Sequence, residues 1–214
     1  MDEEVTIIDS NTRNEKIKNF FINNKRNLII GFSIIFIALI GYLSMKEMKE
    51  QEKIELANQF NTTTINFKTE EKQTTVDQLT KLIKKNDATY SPLALYFLID
   101  NNLINNQNEV NNLFDELING TSLDEEIKNL IIYKKALFNS EFTSESDLLK
   151  ILNPIINSES VWKSHSLYLM AEYFYSKNQK QKAKEFFNQI LLLPNANNDI
   201  KAESQKRINR DLRE

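Results

Sequence analysis

His165 is the only histidine among 214 residues, and cysteine is absent. A lone imidazole acts as a general base only beside a nucleophile and an orienting group, and a metal site needs several converging ligands. The nearest acidic residues in sequence, Glu159 and Glu172, lie six and seven positions away on expected helix surfaces, so they establish no site. Without cysteine there is no disulfide framework, thiol nucleophile, cysteine zinc site or diacylated anchor. Three glycines are too few for a phosphate-cradling loop. The acidic run Asp124-Glu125-Glu126, and Glu145 with Asp147, fall at expected helix starts, where carboxylates favour the positive end of the dipole. The sequence therefore predicts no enzyme, no cofactor, no metal and no small-molecule substrate. What remains is binding. Tyr168, Glu172 and Tyr175 are spaced to share one face of a helix, apart from Met170 and Phe174 on the core side. Such a face can pack in the ordinary way against the next repeat, or it can line a peptide groove, with tyrosines supplying contact area and a hydroxyl partner.

The elements that must position these residues are helical throughout. Leu56, Phe60, Thr64 and Phe67 follow a three-to-four spacing, as do Val76, Leu79, Leu82 and Ile83. Ser91 followed by Pro92 predicts a capped start for a helix packing through Leu93, Phe97, Ile99, Leu103 and Ile104. Val110 to Ile118 make the next, with Gly120 expected as its C-terminal cap. Ser122 with Glu125 has capping-box spacing before Ile127 to Ala136, and Pro154 should kink or end the helix that carries Leu148 to Ile156. Trp162–Tyr175, Lys180–Leu192 and Asp199–Leu212 complete the set. Alternate helices begin near positions 92, 123, 160 and 197, spacings of 31, 37 and 37 that sit near the ~34-residue period of paired-helix solenoids. The fold class is all-α: stacked antiparallel helix pairs that gain a core only by leaning on their neighbours.

Ahead of this body, Leu28 to Met45 is 18 residues without a charge. At 1.5 Å per residue it reaches about 27 Å, enough to cross a hydrocarbon core of roughly 30 Å. It exceeds a signal-peptide core and no Ala-x-Ala follows, so it is expected to stay as an anchor. Arg13, Lys16, Lys18, Lys25 and Arg26 precede it, against Lys46, Lys49 and Lys53 after it, which places the N-terminus in the cytoplasm. The organisation is then 1–27 cytoplasmic, 28–45 transmembrane and 46–214 exported. Residues 46–214 carry 22 basic and 25 acidic side chains with no basic stripe, so no nucleic-acid partner is expected.

Leu167 to Pro194, LYLMAEYFYSKNQKQKAKEFFNQILLLP, resembles a tetratricopeptide repeat: Met170-Ala171 as the large-small pair, Phe174 its aromatic, Asn178 at the turn, and Ala183 as the small contact residue. The order of parts is similar to the YfgM family, the ancillary subunit of the bacterial SecYEG translocon. It runs from an acidic start through NEKIKNFFINNKRNL, one span, ELANQFNTTTINF and LTKLIKKNDATYSPLALYFLI to the repeat body. The resemblance implies a single-pass inner-membrane protein with a periplasmic repeat domain, and the Sec translocon, periplasmic chaperones or client chains as partners. The alternative function is a helical-repeat scaffold of another envelope complex, such as cell-division or outer-membrane assembly machinery.

Overall fold

The computed structural model describes residues 14–212; the acidic start (Asp2, Glu3, Glu4 and Asp9) and Arg13 lie outside the described residues. Secondary structure among those residues is helical. α1 covers 14–23, and after a turn at Asn24 come α2 (Lys25–Ile65), a 3-10 turn (Thr69–Glu71), α3 (Lys72–Ile83), α4 (Tyr90–Asp100) and α5 (Gln107–Gly120). They are followed by α6 (Glu125–Asn139), α7 (Glu145–Ile156), α8 (Lys163–Ser176), α9 (Lys180–Leu192) and α10 (Asn198–Asp211). The chain divides into two compact units, one up to Glu55 and one from Leu56 onward.

In the first unit the apolar stretch of α2 has no buried residue, and Phe32, Ile35 and Ile37 are each more than 60% exposed. A helix apolar on every side is stable where lipid replaces water around it. The hydroxyl of Ser33 donates to the Ile29 carbonyl at 2.9 Å, so this polar atom inside the span is satisfied by its own helix. The chain is thus a membrane-anchored all-α protein with a single such helix among the described residues.

The second unit holds two apolar cores that share α6. The first gathers Leu56, Leu79, Ile83, Leu95, Leu98, Phe114 and Leu117, and receives Ile131 from α6. The second begins with Ile132 and Ala136 on α6 and continues through Leu152, Met170, Phe174, Phe187 and Ile190 to Leu212. Consecutive elements pack as antiparallel neighbours, most densely α8 on α9, while α6 also touches α8, and α8 touches α10. Ala171 and Ala183 are fully buried between α8 and α9, where a branched side chain would hold the helices apart. Alternate helices begin at Tyr90, Glu125, Lys163 and Asn198, 35, 38 and 35 residues apart, which is the stacked-pair architecture expected from the pattern.

Several local expectations need correction. Ser91 does not cap α4: its hydroxyl donates to the Leu82 carbonyl and accepts from the Asp87 amide, tying α4 back to α3. The Asp87 carboxylate instead accepts from the amides of Thr89 and Tyr90. Asp124, not Ser122, is the N-cap of α6 and accepts from Glu126. The buried face of α4 is Ala94, Leu95 and Leu98, with Leu93 turned outward at 41% exposure. Gly120 is the last residue of α5 and has no positive φ. A Cβ there would meet the Asn86 side chain at 3.1 Å, so glycine serves clearance and not a left-handed cap. Left-handed backbone falls to Asn86, Asn102 and Asn178, with φ of 55°, 51° and 59°. Asparagine tolerates that region at less cost than branched residues, which is how a chain with three glycines makes its tight helix ends.

Candidate interaction face

Tyr168, Glu172 and Tyr175 come together on one flank of α8 and are each half-buried, while Met170 and Phe174 point into the core. The neighbour that meets this flank is α10. Arg207 reaches across so that Nε and Nη2 donate to the two carboxylate oxygens of Glu172, both at 2.7 Å. Its guanidinium carbon lies 4.3 Å from the centre of the Tyr175 ring, and Nη1 pairs with Asp211 one helical turn on. The Tyr168 ring stands edge-on to Phe187 with centroids 5.4 Å apart.

The electrostatics follow from that packing. Burial, then the negative charge of Glu172, pushes the Tyr168 phenol up to about 12. Burial works against the charge on Arg207, but Glu172 and Asp211 outweigh it and hold the guanidinium above its ordinary value. Arg210, bonded to Asp211 at 2.7 Å, pulls that carboxylate down to about 2 against desolvation, with Arg207 adding to the effect. Tyr168 is therefore protonated and Arg207 charged at neutral pH. The arrangement brings a hydroxyl, aromatic area and a fixed ion pair together on one flank of α8, engaged by Arg207 of α10.

Sequence reading placed the three α8 residues on one flank but did not find Arg207 or Asp211. The signal was present: Arg207 stands 35 residues after Glu172, one repeat further along, where a facing side chain would belong.

His165 lies where α8 meets α6, its ring 5.1 Å from Trp162 and 6.0 Å from Tyr133. Burial lowers its pKa from the ordinary 6.5 against a smaller opposing influence of the Val161 backbone, and Nδ1 is buried without a hydrogen-bond partner. Glu172 is engaged by Arg207, and Glu159 is exposed within 4.0 Å of Lys163. Among the described residues no three acidic or imidazole groups converge. Glu145 instead holds Lys182 of α9 at 2.9 Å, and Asp147 accepts from the Ser144 hydroxyl at 2.6 Å. Set beside known proteins, the chain matches no family model, no curated protein and no solved structure, so its fold and its exposed chemistry are the ground on which function is argued.

Proposed function

We propose that this chain is a non-catalytic, membrane-anchored adaptor that binds protein at the Sec channel and passes emerging chains to periplasmic chaperones. The observation that carries the reading is the joining of one lipid-suited helix to a body of stacked helix pairs, an architecture that offers broad side-chain surface for protein partners. The layout similarity to the translocon subunit is what supports the Sec channel as partner, and the lysine and arginine distribution supports a cytoplasmic N-terminus. Tyr168, Glu172 and Tyr175 are the proposed contact patch.

Two measurements test this. In sealed inner-membrane vesicles of known orientation, a protease on the periplasmic side should digest the body, and one on the cytoplasmic side should leave it intact. Pull-down from gently solubilised membranes with mass spectrometry should return the Sec channel. Recovery of cell-division or outer-membrane assembly components in its place would move the assignment to a scaffold of that machinery. Digestion from the cytoplasmic side alone would end the periplasmic reading.

A further inference from the structure

α6 packs on α8 and α8 on α10, but no comparable packing joins α4 to α6. The gap between them is a cleft of about 170 Å³. Ile99 of α4, Phe114 of α5 and Phe138 of α6 give it apolar walls. Leu137, 47% exposed, forms its rim, and Phe142, 63% exposed with its ring 6.4 Å from Phe138, extends the apolar surface outward. The volume is close to the roughly 150 Å³ that takes a single benzene ring.

Two charges stand at the mouth, Asp100 on α4 and Lys134 on α6, and neither has an ion-pair partner among the described residues. Lys134 lies with its Nζ 4.6 Å from the centre of the Tyr96 ring, roofing that side chain. Beneath it the Tyr96 hydroxyl is buried with no hydrogen-bond partner. A buried donor left unpaired is costly, and its cost is relieved when an acceptor arrives. Movement of Lys134 towards a carboxylate would free the face of the Tyr96 ring, which the segment needs if its backbone is to approach that hydroxyl.

We propose that the α4–α5–α6 cleft captures an unfolded polypeptide segment presenting one aromatic side chain flanked by an acidic and a basic residue. The ring fills the apolar gap, the acidic neighbour meets Lys134, the basic neighbour meets Asp100, and the Tyr96 hydroxyl donates to the segment's backbone. This rests on the protein-binding reading above and deepens it by naming the kind of chain that is bound.

The test uses the full chain in lipid nanodiscs, titrated by fluorescence anisotropy with labelled heptapeptides Gly-Ser-Glu-Phe-Lys-Ser-Gly, its Phe→Ala form, and forms with Glu-Phe-Glu or Lys-Phe-Lys at the centre. The Glu-Phe-Lys peptide should bind best, and Phe→Ala should weaken it at least ten-fold, the order expected from burying a ring. Lys134→Glu should lose the Glu-Phe-Lys preference and gain for Lys-Phe-Lys, a reversal that misfolding cannot produce. Tyr96→Phe should weaken binding about five-fold while leaving thermal stability equal or higher, because it removes an unpaired buried hydroxyl. Equal binding of all four peptides, or no change of preference in Lys134→Glu, overturns the proposal. So does binding that appears only as self-association at rising protein concentration. Loss of the cleft effects with Sec-channel capture intact refutes the cleft and leaves the adaptor standing; peptide binding with no channel capture refutes the assigned partner and not the cleft.

Discussion

Replacing Arg207 with alanine should loosen α10 on its α8 side, where it packs less densely than on α9, without unfolding what lies before it. α10 buries little of its own: Ser204 is its one fully covered residue, Leu212 follows at 5% exposure, and Ile200 and Ile208 are half-covered. Its hold on α8 therefore leans on Arg207, whose side chain is 12% exposed and whose partner Glu172 is 34% exposed. Exposed ion pairs contribute about 0–1 kcal/mol, and breaking a buried one costs about 3–5 kcal/mol. A forked pair at the boundary falls between, and the stacking on Tyr175 adds about 0.5–1 kcal/mol, so the loss should be about 2 kcal/mol. At about 1.4 kcal/mol per decade that is roughly a thirty-fold rise in local opening. Hydrogen exchange with mass spectrometry on the full chain in nanodiscs reads this directly: amides of α10 should exchange about thirty-fold faster, with those of α3 and α4 unchanged. Arg207→Lys should fall between, since it keeps the charge and loses the fork. A cycle with Glu172→Gln should show coupling of at least about 1 kcal/mol. Unchanged α10 exchange, or equal acceleration through α3 and α4, would refute the latch.

Other perturbations address the remaining supports. His165 has a folded pKa below its ordinary 6.5, so its contribution to stability is complete above that value and is lost as pH falls from there through the lower folded value. The sole tryptophan, Trp162, lies beside it and reports unfolding; His165→Phe should flatten the dependence between pH 7 and 5, and an unchanged slope would exclude the histidine as its source. Asn178→Ala should cost about 1 kcal/mol because alanine resists the left-handed backbone, whereas Asn178→Gly should be nearly neutral, compared by urea midpoints. Ile37→Lys places a charge within the apolar run and should shift the chain from the carbonate-resistant membrane fraction, at a cost of about 2.5–3.5 kcal/mol per charge near the bilayer centre.

From α3 onward the helices, their order and the paired stacking were legible because each carries apolar residues at helical spacing and ends in asparagine, proline or a polar break, whereas α1, in the stretch read only as a short cytoplasmic segment, was not. The capping residues were read less well. Ser91 and Ser122 have the chemistry of caps, but Asp87 and Asp124 take the role, since a hydroxyl or a carboxylate nearby can satisfy the same amides and only the backbone path decides between them. On α4 the run of apolar residues allowed more than one buried face, and packing against α3 and α5 chose Ala94, Leu95 and Leu98. The Arg207 latch and the α4–α6 cleft depend on residues one repeat apart meeting in space, which no local window records.

That distinction bears on where a partner can act. A helix pair in the interior of a stack has both flanks engaged by its neighbours, so its exposed chemistry is confined to positions where the repeat is irregular. Among the described residues two such positions stand out. No helix follows α10 among the described residues, and its Arg207 meets the Tyr168–Glu172–Tyr175 flank through an ion pair with Glu172 and stacking on Tyr175. Between α4 and α6 the stack stays apart, leaving unpaired charges around an apolar gap. The first site is already filled by the chain's own arginine and would have to exchange an ion pair for a partner; the second is covered only by Lys134 lying over the Tyr96 ring. A segment captured in the cleft gives up that one stacking contact and gains a charge partner for Lys134, so the cleft should load first and the α8 flank only where a partner supplies more than Arg207 gives up. Measuring peptide binding in Arg207→Ala separates the two: affinity at the cleft should stay the same, and any new affinity gained should disappear when Tyr168 and Tyr175 are also replaced by alanine.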